Sequence, residues 1–243
     1  MKTLNSIPKE KEVYKDLSTI YNIFSWQEFS QDLFTRLEIF LYEWKINTHL
    51  DIACGTGEFV DLLRKIGIES SGLDISKEMI KKARRNFPNL TYRVCDMRDF
   101  TLRKKVDLIT CNFDSINHLL KYSDWKLVFK NSYESLAPGG RFLFDMNTLF
   151  SVNNYSYKTK VVSEEGEMQF SVEPKGGNIL EFNIKSQLGN SGDGISAKVI
   201  EKAFEYSRVK KSLKDIGFSR VVIFNKDLGV KTNKRRLYIL AQK

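Results

Sequence analysis

The stretch LDIACGTGE, residues 50–58, decides the fold of this 243-residue chain. A short apolar run ends there in small residues, and an amphipathic segment over residues 59–66 follows at once. The pattern predicts a strand, a tight glycine turn and a helix, whose backbone N–H groups and N-terminus suit a nucleotide-like ligand. Gly55 and Gly57 permit positive φ angles and let a ligand approach the main chain, which a Cβ atom would obstruct.

Strands and helices alternate on both sides of this turn. Helices are predicted at 26–44, at 58–66, after Ser76, at 123–136 and at 206–216, and strands at 48–53, 70–74, 90–95, 106–112, 141–146, 221–225 and 236–241. Such alternation predicts an α/β fold with a doubly wound, Rossmann-like, mostly parallel seven-stranded sheet.

The hydrophobic period changes to two residues after strand five. Four segments between residues 160 and 204 show this alternation, which predicts an antiparallel β insertion. We therefore divide the chain into an N-terminal lid segment and helix (1–45), a Rossmann-like domain (46–150 and 206–243) and the insertion (151–205). The insertion is expected to shape an acceptor pocket or to form a dimer contact, which leaves a homodimer open.

Composition limits the class of protein. No apolar run reaches the ~20 residues that a membrane helix needs, and the charged N-terminus has no secretory signal pattern. The three cysteines form no C-x-x-C pair, so neither a disulfide framework nor a metal site is expected, and we predict a cytoplasmic protein. The net charge of +9 is compatible with nucleic-acid binding. Because the basic clusters are mixed with acidic residues and lack interleaved aromatics, we favour a solvated surface and expect no nucleic-acid partner.

Acidic residues at the carboxyl ends of three predicted strands indicate the ligand. In open parallel sheets ligands bind at these ends, near the point where the strand order reverses. Asp74 lies 23 positions after Asp51 and is placed to accept hydrogen bonds from a ribose. Asp96 could accept from an adenine amino group while Met97 covers the ring. The glycine turn, an acid for the ribose and an acid for the adenine together describe an adenosine pocket.

Several nucleotide ligands compete for this pocket. The third glycine of the dinucleotide fingerprint is replaced by Val60, and no phosphate-binding P-loop motif is present. S-adenosylmethionine carries no pyrophosphate, and a carboxylate at Asp51 can orient the loop or meet the ammonium group of that ligand.

The chain here resembles the class I S-adenosylmethionine-dependent methyltransferases. The resemblance rests on four motifs in order over about 90 residues: DIACGTG (51–57), GLDISKEM (72–79), DMR (96–98) and LAPGG (136–140). Ala53 stands where the family usually has glycine. A wider resemblance, to small-molecule N-methyltransferases of the amino-sugar type, involves the segment around Tyr21, residues 113–119 and the insertion.

The resemblance implies a set of cofactor-binding residues. The glycine turn would approach the methionine portion, Asp74 the ribose, Asp96 and Met97 the adenine, and Asn112 and Phe113 the sulfonium end. Tyr21 would close over the cofactor, or it packs as a half-buried side chain. The full set is Tyr21, Asp51, Ala53, Gly55, Gly57, Asp74, Ile75, Met79, Asp96, Met97, Asn112 and Phe113.

The reaction implied is transfer of a methyl group to a nitrogen or oxygen of a small-molecule acceptor. Such a displacement needs alignment, desolvation and, for a protonated acceptor, removal of a proton. His118, just beyond strand four, is the candidate base, and Asp114 or Asn117 could hold the acceptor; His118 could equally be an ordinary polar residue. The other histidine, His49, is placed at the opposite end of strand one and is expected to be structural.

Two alternatives remain open. An RNA methyltransferase would fit the positive charge, but the base-methylating Asn/Asp-Pro-Pro-Tyr pattern is replaced by the sequence NFDS at 112–115. A non-catalytic cofactor-binding protein could retain the same motifs.

Overall fold

The computed structural model describes residues 18, 27–163, 166–188, 194–230 and 234–243. Tyr21 and the rest of the proposed N-terminal lid segment lie outside the described residues. The first described helix, α1 (Gln27–Glu43), carries Leu33, Leu37 and Leu41 on a buried stripe, as its three- and four-residue spacing predicts.

The alternation of strands and helices then follows the prediction closely. The elements in chain order are β1 (Thr48–Ile52), α2 (Glu58–Lys65), β2 (Glu69–Asp74), α3 (Lys77–Asn86), β3 (Thr91–Val94), β4 (Val106–Cys111), a 3₁₀ helix (Ser115–His118), α4 (Tyr122–Ser135) and β5 (Leu136–Asn147). After them come α5 (Leu149–Asn154), β6 (Tyr157–Ser163), β7 (Gly166–Gly176), β8 (Ile179–Leu188), β9 (Gly194–Lys202), α6 (Tyr206–Ile216), β10 (Arg220–Ile223) and β11 (Arg236–Gln242).

Seven strands form the main sheet in the order β10-β11-β5-β4-β1-β2-β3. The pairs β3–β2, β2–β1, β1–β4 and β4–β5 are parallel, whereas β11 runs antiparallel to both neighbours. The chain builds outward from β1 through β3 and then returns to the other side of β1 with β4. This reversal opens a crevice at the carboxyl ends of β1 and β4. The mostly parallel, doubly wound sheet is thus confirmed.

Helices cover both faces of this sheet, which explains its apolar strands. On one face, α4 and α6 pack a cluster that includes Trp125, Phe129 and Leu213 against β4 and β5. On the other face, α1 and α2 bury Leu37 and Leu63. Among the described residues, no helix is both long and apolar enough to span a membrane.

Strand β5 begins earlier than predicted. The sequence predicts a helix up to residue 136, a turn at Pro138-Gly139-Gly140 and a strand from residue 141, yet Leu136 already pairs with Val106. The pairing register shifts between Val106 and Leu108, which lets the extra residues of this segment extend the strand instead of interrupting it.

A second, antiparallel sheet follows, in the order β6-β7-β8-β9, and it confirms the two-residue alternation. One of its faces is apolar, with Val172, Leu180 and Ile184 buried. Asn117 Nδ2, beyond β4 of the main sheet, donates to the Lys202 carbonyl at the end of β9. The carboxyl end of β9 therefore lies beside the 3₁₀ helix.

Candidate active site

A cavity opens at the carboxyl ends of the central strands of the main sheet. With its open mouth it has a volume of about 960 Å³. Its lining includes ten of the residues predicted from the sequence: Asp51, Ala53, Gly55, Asp74, Ile75, Met79, Asp96, Met97, Phe113 and His118. Gly57, Asn112 and Asp114 lie next to this lining in the chain without being part of it. The strand ends converge there because parallel strands present their carboxyl ends at one edge of a sheet.

The charge of the cavity is opposite to that of the whole protein. Four carboxylates line it, from Asp51, Glu58, Asp74 and Asp96, and no lysine or arginine of the described residues does. Burial raises the pKa of Asp51, Glu58 and Asp74. A cationic ligand would favour the ionised form of these groups and would be attracted by it.

Asp51 is the most deeply buried of these acids, with 3% of its surface exposed. Its Oδ1 atom accepts from Thr110 Oγ1 at 2.5 Å and from Asn112 Nδ2 at 3.3 Å. Burial raises its pKa to about 7; the Thr110 hydrogen bond opposes this shift, and the charge of Asp74 adds to it. Asn112 Oδ1 is also buried, and no described residue hydrogen-bonds to it. The pair therefore offers acceptors to a donor group from a ligand.

Asp74 uses backbone donors to hold its place. Its Oδ2 atom accepts from the Gly55 N–H at 2.9 Å, and its Oδ1 atom accepts from the Ser76 N–H at 2.8 Å. The carboxylate consequently ties the glycine turn to the start of α3. These two bonds oppose the larger effect of burial, which raises the pKa of Asp74.

The turn itself holds several residues in the left-handed region. The φ angles are 63° at Ala53, 55° at Gly55 and 91° at Gly57. At Gly57 the close neighbour is Tyr92, because a Cβ atom would lie 2.5 Å from the Tyr92 hydroxyl oxygen. Packing against β3 thus requires glycine at position 57. The reason expected from the sequence, the close approach of a ligand, is a different one.

Asp96 has a partner that the sequence motif did not suggest. Arg98 Nη2 lies 2.6 Å from Asp96 Oδ2, Arg98 Nε lies 2.9 Å from Oδ1, and the Arg98 guanidinium also reaches Asp124 at 3.2 Å. The carboxylate is therefore oriented by an arginine at the mouth of the cavity, so any hydrogen bond to an adenine would use its remaining lone pairs.

Beyond Phe113, a second group of charged residues extends from the cavity. Phe113 and Asp114 adopt φ angles of 58° and 49°, and the Asp114 N–H donates to Asp145 Oδ2 at 2.9 Å. The guanidinium of Arg236 hydrogen-bonds Asp114 and lies 3.1 Å from Asp145 Oδ2. The strained conformation is held by these bonds to β5 and β11.

Glu201 joins this group from the second sheet. Its Oε2 atom accepts from Asn147 Nδ2 at 2.6 Å, and Asn147 Nδ2 also reaches Asp114 Oδ2 at 2.9 Å. Three carboxylates therefore surround Arg236, and burial raises the pKa of Glu201 well above its usual range. Sequence reasoning missed Glu201 and Arg236 because each lies in a segment whose only signal is strand alternation.

His118 ends the 3₁₀ helix and lines the cavity. Its Nε2 atom is 4.0 Å from Glu201 Oε1, and 18% of its side chain is exposed. Burial lowers its pKa, while Asp114 and a hydrogen bond to the Ile200 carbonyl oppose the shift. The imidazole is therefore neutral near pH 7 and can accept a proton. Asp114, His118 and Glu201 have potential metal-ligand atoms within 4.8 Å of one another, but Arg236 already supplies positive charge to the carboxylates.

Comparison with known families identifies the class of protein. Residues 50–140, which hold the glycine turn and the three acids, match the methyltransferase domain family. Residues 50–140 thus form a methyltransferase domain, and the protein is an S-adenosylmethionine-dependent methyltransferase. The methyltransferase is 26% identical over 205 residues to the putative methyltransferase YqeM of Bacillus subtilis (strain 168), covering 80% of this chain and 83% of that one.

A shorter match relates the methyltransferase to an amino-sugar enzyme. It is 34% identical over 91 residues to the dTDP-3-amino-3,4,6-trideoxy-alpha-D-glucopyranose N,N-dimethyltransferase of Streptomyces venezuelae, covering 37% of this chain and 38% of the relative. This alignment thus spans little more than a third of either protein.

Solved structures extend the similarity of fold to nearly the whole chain. An S-adenosylmethionine-dependent methyltransferase from Clostridium acetobutylicum superposes with a TM-score of 0.79 at 21% identity, covering 94% of this chain and 98% of that one. Streptomyces venezuelae DesVI gives a TM-score of 0.76 at 18% identity, covering 97% and 99%. Because the two superpositions cover 94% and 97% of this chain, the similarity of fold extends beyond residues 50–140.

Proposed function

We propose that this methyltransferase binds S-adenosylmethionine in the acidic cavity and methylates a nitrogen of a small, amine-bearing acceptor. The observation that carries the proposal is the lining of four carboxylates without a described lysine or arginine. S-adenosylmethionine carries a sulfonium and an ammonium group, whereas a dinucleotide brings an anionic pyrophosphate that this lining would repel.

The predicted binding residues take the following roles in this proposal. Asp51 and the side-chain oxygen Oδ1 of Asn112 meet the ammonium group. Gly55 and Ala53 border the methionine portion. Asp74 accepts from the ribose hydroxyls with the lone pairs that its backbone donors leave free. Asp96, Ile75, Met79 and Met97 enclose the adenine, and Phe113 covers the sulfonium end. Tyr21, outside the described residues, stays a predicted lid residue.

The chain's own groups would align the acceptor and remove its proton. S-adenosylmethionine supplies an electrophilic methyl carbon, so a C–S bond breaks as an N–C bond forms. The neutral imidazole of His118 accepts the proton that the acceptor nitrogen releases. Asp114 and Glu201 lie beside His118 and offer oxygen acceptors to an amine next to this end of the cavity. Closure of the site would exclude water and strengthen these interactions.

Two findings support an amine on a small molecule as the acceptor. Several relatives of the matched domain are sugar N,N-dimethyltransferases by name, and the acceptor end presents carboxylates. The basic clusters of the surface do not line the cavity. An RNA methyltransferase therefore remains the second candidate, favoured only by the net charge of +9.

Calorimetry on the wild type and an Asp74→Ala variant tests the cofactor assignment. We expect wild-type protein to bind S-adenosylmethionine and S-adenosylhomocysteine but not NAD⁺. Asp74→Ala should weaken binding at least tenfold, because the ribose contact and the anchor of Gly55 are both lost. The control, Asp215→Ala, removes an exposed carboxylate that pairs with Lys211 on α6. Equal affinity of the wild type and Asp74→Ala would refute the assignment.

The acceptor class is tested by measuring S-adenosylhomocysteine formation with two panels. One panel contains amino sugars and other small amines, and the other contains structured RNA. Turnover with small amines supports the proposal. Turnover with RNA that falls steeply with salt favours the second candidate, and cofactor binding without product from either panel favours a non-catalytic protein.

A further inference from the structure

A row of buried polar side chains crosses three neighbouring strands of the main sheet and ends at Asp51. Ser70 Oγ lies 2.7 Å from His49 Nδ1, His49 Nε2 lies 2.8 Å from Thr110 Oγ1, and Thr110 Oγ1 lies 2.5 Å from Asp51 Oδ1. Three adjacent strands, β2, β1 and β4, supply these groups. His49 is 1% exposed and Thr110 is fully buried. His49 is therefore connected to the cavity, although the sequence placed it at the far end of β1.

The chemistry of these groups fixes the direction of each hydrogen bond. An ionised Asp51 can only accept, so the Thr110 hydroxyl donates to it. The Thr110 oxygen then accepts from His49, which must carry its proton on Nε2. His49 Nδ1 is left to accept from the Ser70 hydroxyl. This requires a neutral ring, and burial accordingly lowers the pKa of His49 to about 3.

We propose that His49 and Thr110 are positioning residues for cofactor binding, which favour the ionised form of Asp51 and orient it toward the ammonium group of S-adenosylmethionine. The inference rests on the proposed function. His49 acts through Thr110, because its Nε2–H occupies the hydroxyl oxygen and leaves the hydroxyl proton directed at Asp51. Successive hydrogen bonds of this kind polarise and strengthen one another.

The hydrogen bonds that run from His49 through Thr110 to Asp51, called the relay here, oppose the effects that raise the pKa of Asp51. Burial and the charge of Asp74 both raise the pKa of Asp51, and the Thr110 hydrogen bond lowers it. The other titratable groups that interact with Asp51 are Cys54 after β1, Cys111 on β4 and Tyr92 on β3, and burial raises the pKa of each. These three stay neutral near pH 7. Loss of the relay would therefore leave Asp51 protonated at neutral pH, without charge for the ammonium group.

The test measures the dissociation constant of S-adenosylmethionine between pH 6 and pH 9. Wild-type affinity should rise with pH as Asp51 ionises. Thr110→Val keeps the shape and removes the hydroxyl, so we expect about tenfold weaker binding at pH 7 that recovers at pH 9. Thr110→Ser should restore the wild-type profile. His49→Phe, which keeps the ring contact with Phe59, should shift the profile in the same direction by a smaller amount.

A control and a second readout separate this role from simple destabilisation. Ser132→Ala removes a buried hydroxyl that no described residue hydrogen-bonds, and it should leave the profile unchanged. Affinity lost equally at every pH would overturn the proposal. Nitrogen-15 NMR of the wild type should show His49 as the neutral Nε2–H tautomer from pH 5 to pH 9, and an Nδ1–H or charged ring would overturn it too. A wild type that binds no S-adenosylmethionine would refute the proposed function, whereas wild-type binding with unshifted variants would refute only the relay.

Discussion

Asp51 and Asp74 end adjacent strands, yet their carboxylates are held by different kinds of donor. Two backbone N–H groups hold Asp74, whereas Asp51 is held by side chains on β4 and directly after it. Backbone donors survive most substitutions around them, but a side-chain donor can be lost by a single one. We therefore expect the ionisation of Asp51 to be the more sensitive to mutation.

An Asp51→Asn variant tests whether Asp51 is protonated in the folded protein. Its pKa is raised from 3.8 to about 7, so between these values the folded protein holds a proton that the unfolded chain releases. This contribution to stability is therefore lost as pH rises through the window. Relative to wild type, the ligand-free variant should gain stability from pH 5 to pH 8, by at most about 3 kcal/mol. Thermal unfolding at each pH measures the difference.

The control for this prediction is an aspartate whose carboxylate is not buried. Asp215→Asn, on the exposed side of α6, should track the wild type at every pH. A wild type that gains stability over Asp51→Asn as pH rises would contradict a protonated Asp51.

A His118→Ala variant tests the proposed base. We expect turnover of the true acceptor to fall by about 10²-fold or more, with the S-adenosylmethionine dissociation constant within twofold of wild type. The acid limb of the wild-type rate profile should lie below pH 6.5, because burial lowers the pKa of His118. Unchanged turnover would remove His118 from the mechanism.

Single residues divide into those that the sequence could predict and those that it could not. Asp51, Asp74 and Asp96 were predictable because each lies at or just beyond the carboxyl end of a predicted strand, and parallel strands end at one edge. The residues Glu201 and Arg236 were not, because their side-chain partners lie 54 to 122 positions away in the chain, and such pairing leaves no local pattern. Tyr21 stays a prediction, since it lies outside the described residues.

At the scale of elements, the glycine turn combines two separate constraints. Gly57 and Gly67 have nearly equal φ angles of 91° and 88°. A Cβ atom at Gly67 would meet nothing within 4 Å, whereas one at Gly57 would meet the Tyr92 ring. The two positions thus share backbone strain and differ in packing.

Gly57→Ala and Gly67→Ala therefore form a matched pair. Gly67→Ala should cost about 1–2 kcal/mol of stability, from the left-handed conformation alone. Gly57→Ala should cost about 1–3 kcal/mol more, because Tyr92 must move, and it should also weaken cofactor binding. Urea unfolding of both variants measures the difference. Equal losses would mean that the turn shifts away from Tyr92 without cost.

The elements themselves were predictable where one face or both faces are buried. The apolar run of β4 and the two-residue alternation of the second sheet each follow directly from burial. The start of β5 was not predictable, because Pro138 and two glycines resemble a turn. Only the pairing of Leu136 with Val106 across the sheet makes that segment a strand.

At the scale of the whole molecule, charge is separated between surface and cavity. The protein carries a net charge of +9, while its cavity is lined by four carboxylates. A positive net charge attracts anions nonspecifically, whereas the carboxylates of the lining favour a cation. The net charge is therefore a poor guide to the ligand, and the local residues at the strand ends are a better one.

The two sheets meet at the acceptor end, so the second sheet should control the acceptor without controlling the cofactor. Asn117 Nδ2 bonds the Lys202 carbonyl, Asn147 Nδ2 bonds Glu201, and Glu201 faces His118. Glu201→Ala should lower kcat/KM for the acceptor at least tenfold, because it removes the carboxyl group beside His118 and releases Asn147. The S-adenosylmethionine dissociation constant should stay within twofold, since Glu201 does not line the cavity.

Glu181→Ala provides the matched control for this prediction. Glu181 lies on β8 of the same sheet, and its carboxylate pairs with Lys175 and Lys198 instead of reaching the main sheet. Steady-state kinetics on both variants, with calorimetry for the cofactor, should show a loss for Glu201→Ala alone. Equal losses would mean that the second sheet acts only through its stability. A loss of cofactor affinity in Glu201→Ala would mean that the two ends of the cavity are coupled, because the Asp114, Asp145 and Arg236 group would then transmit the change to the strand ends.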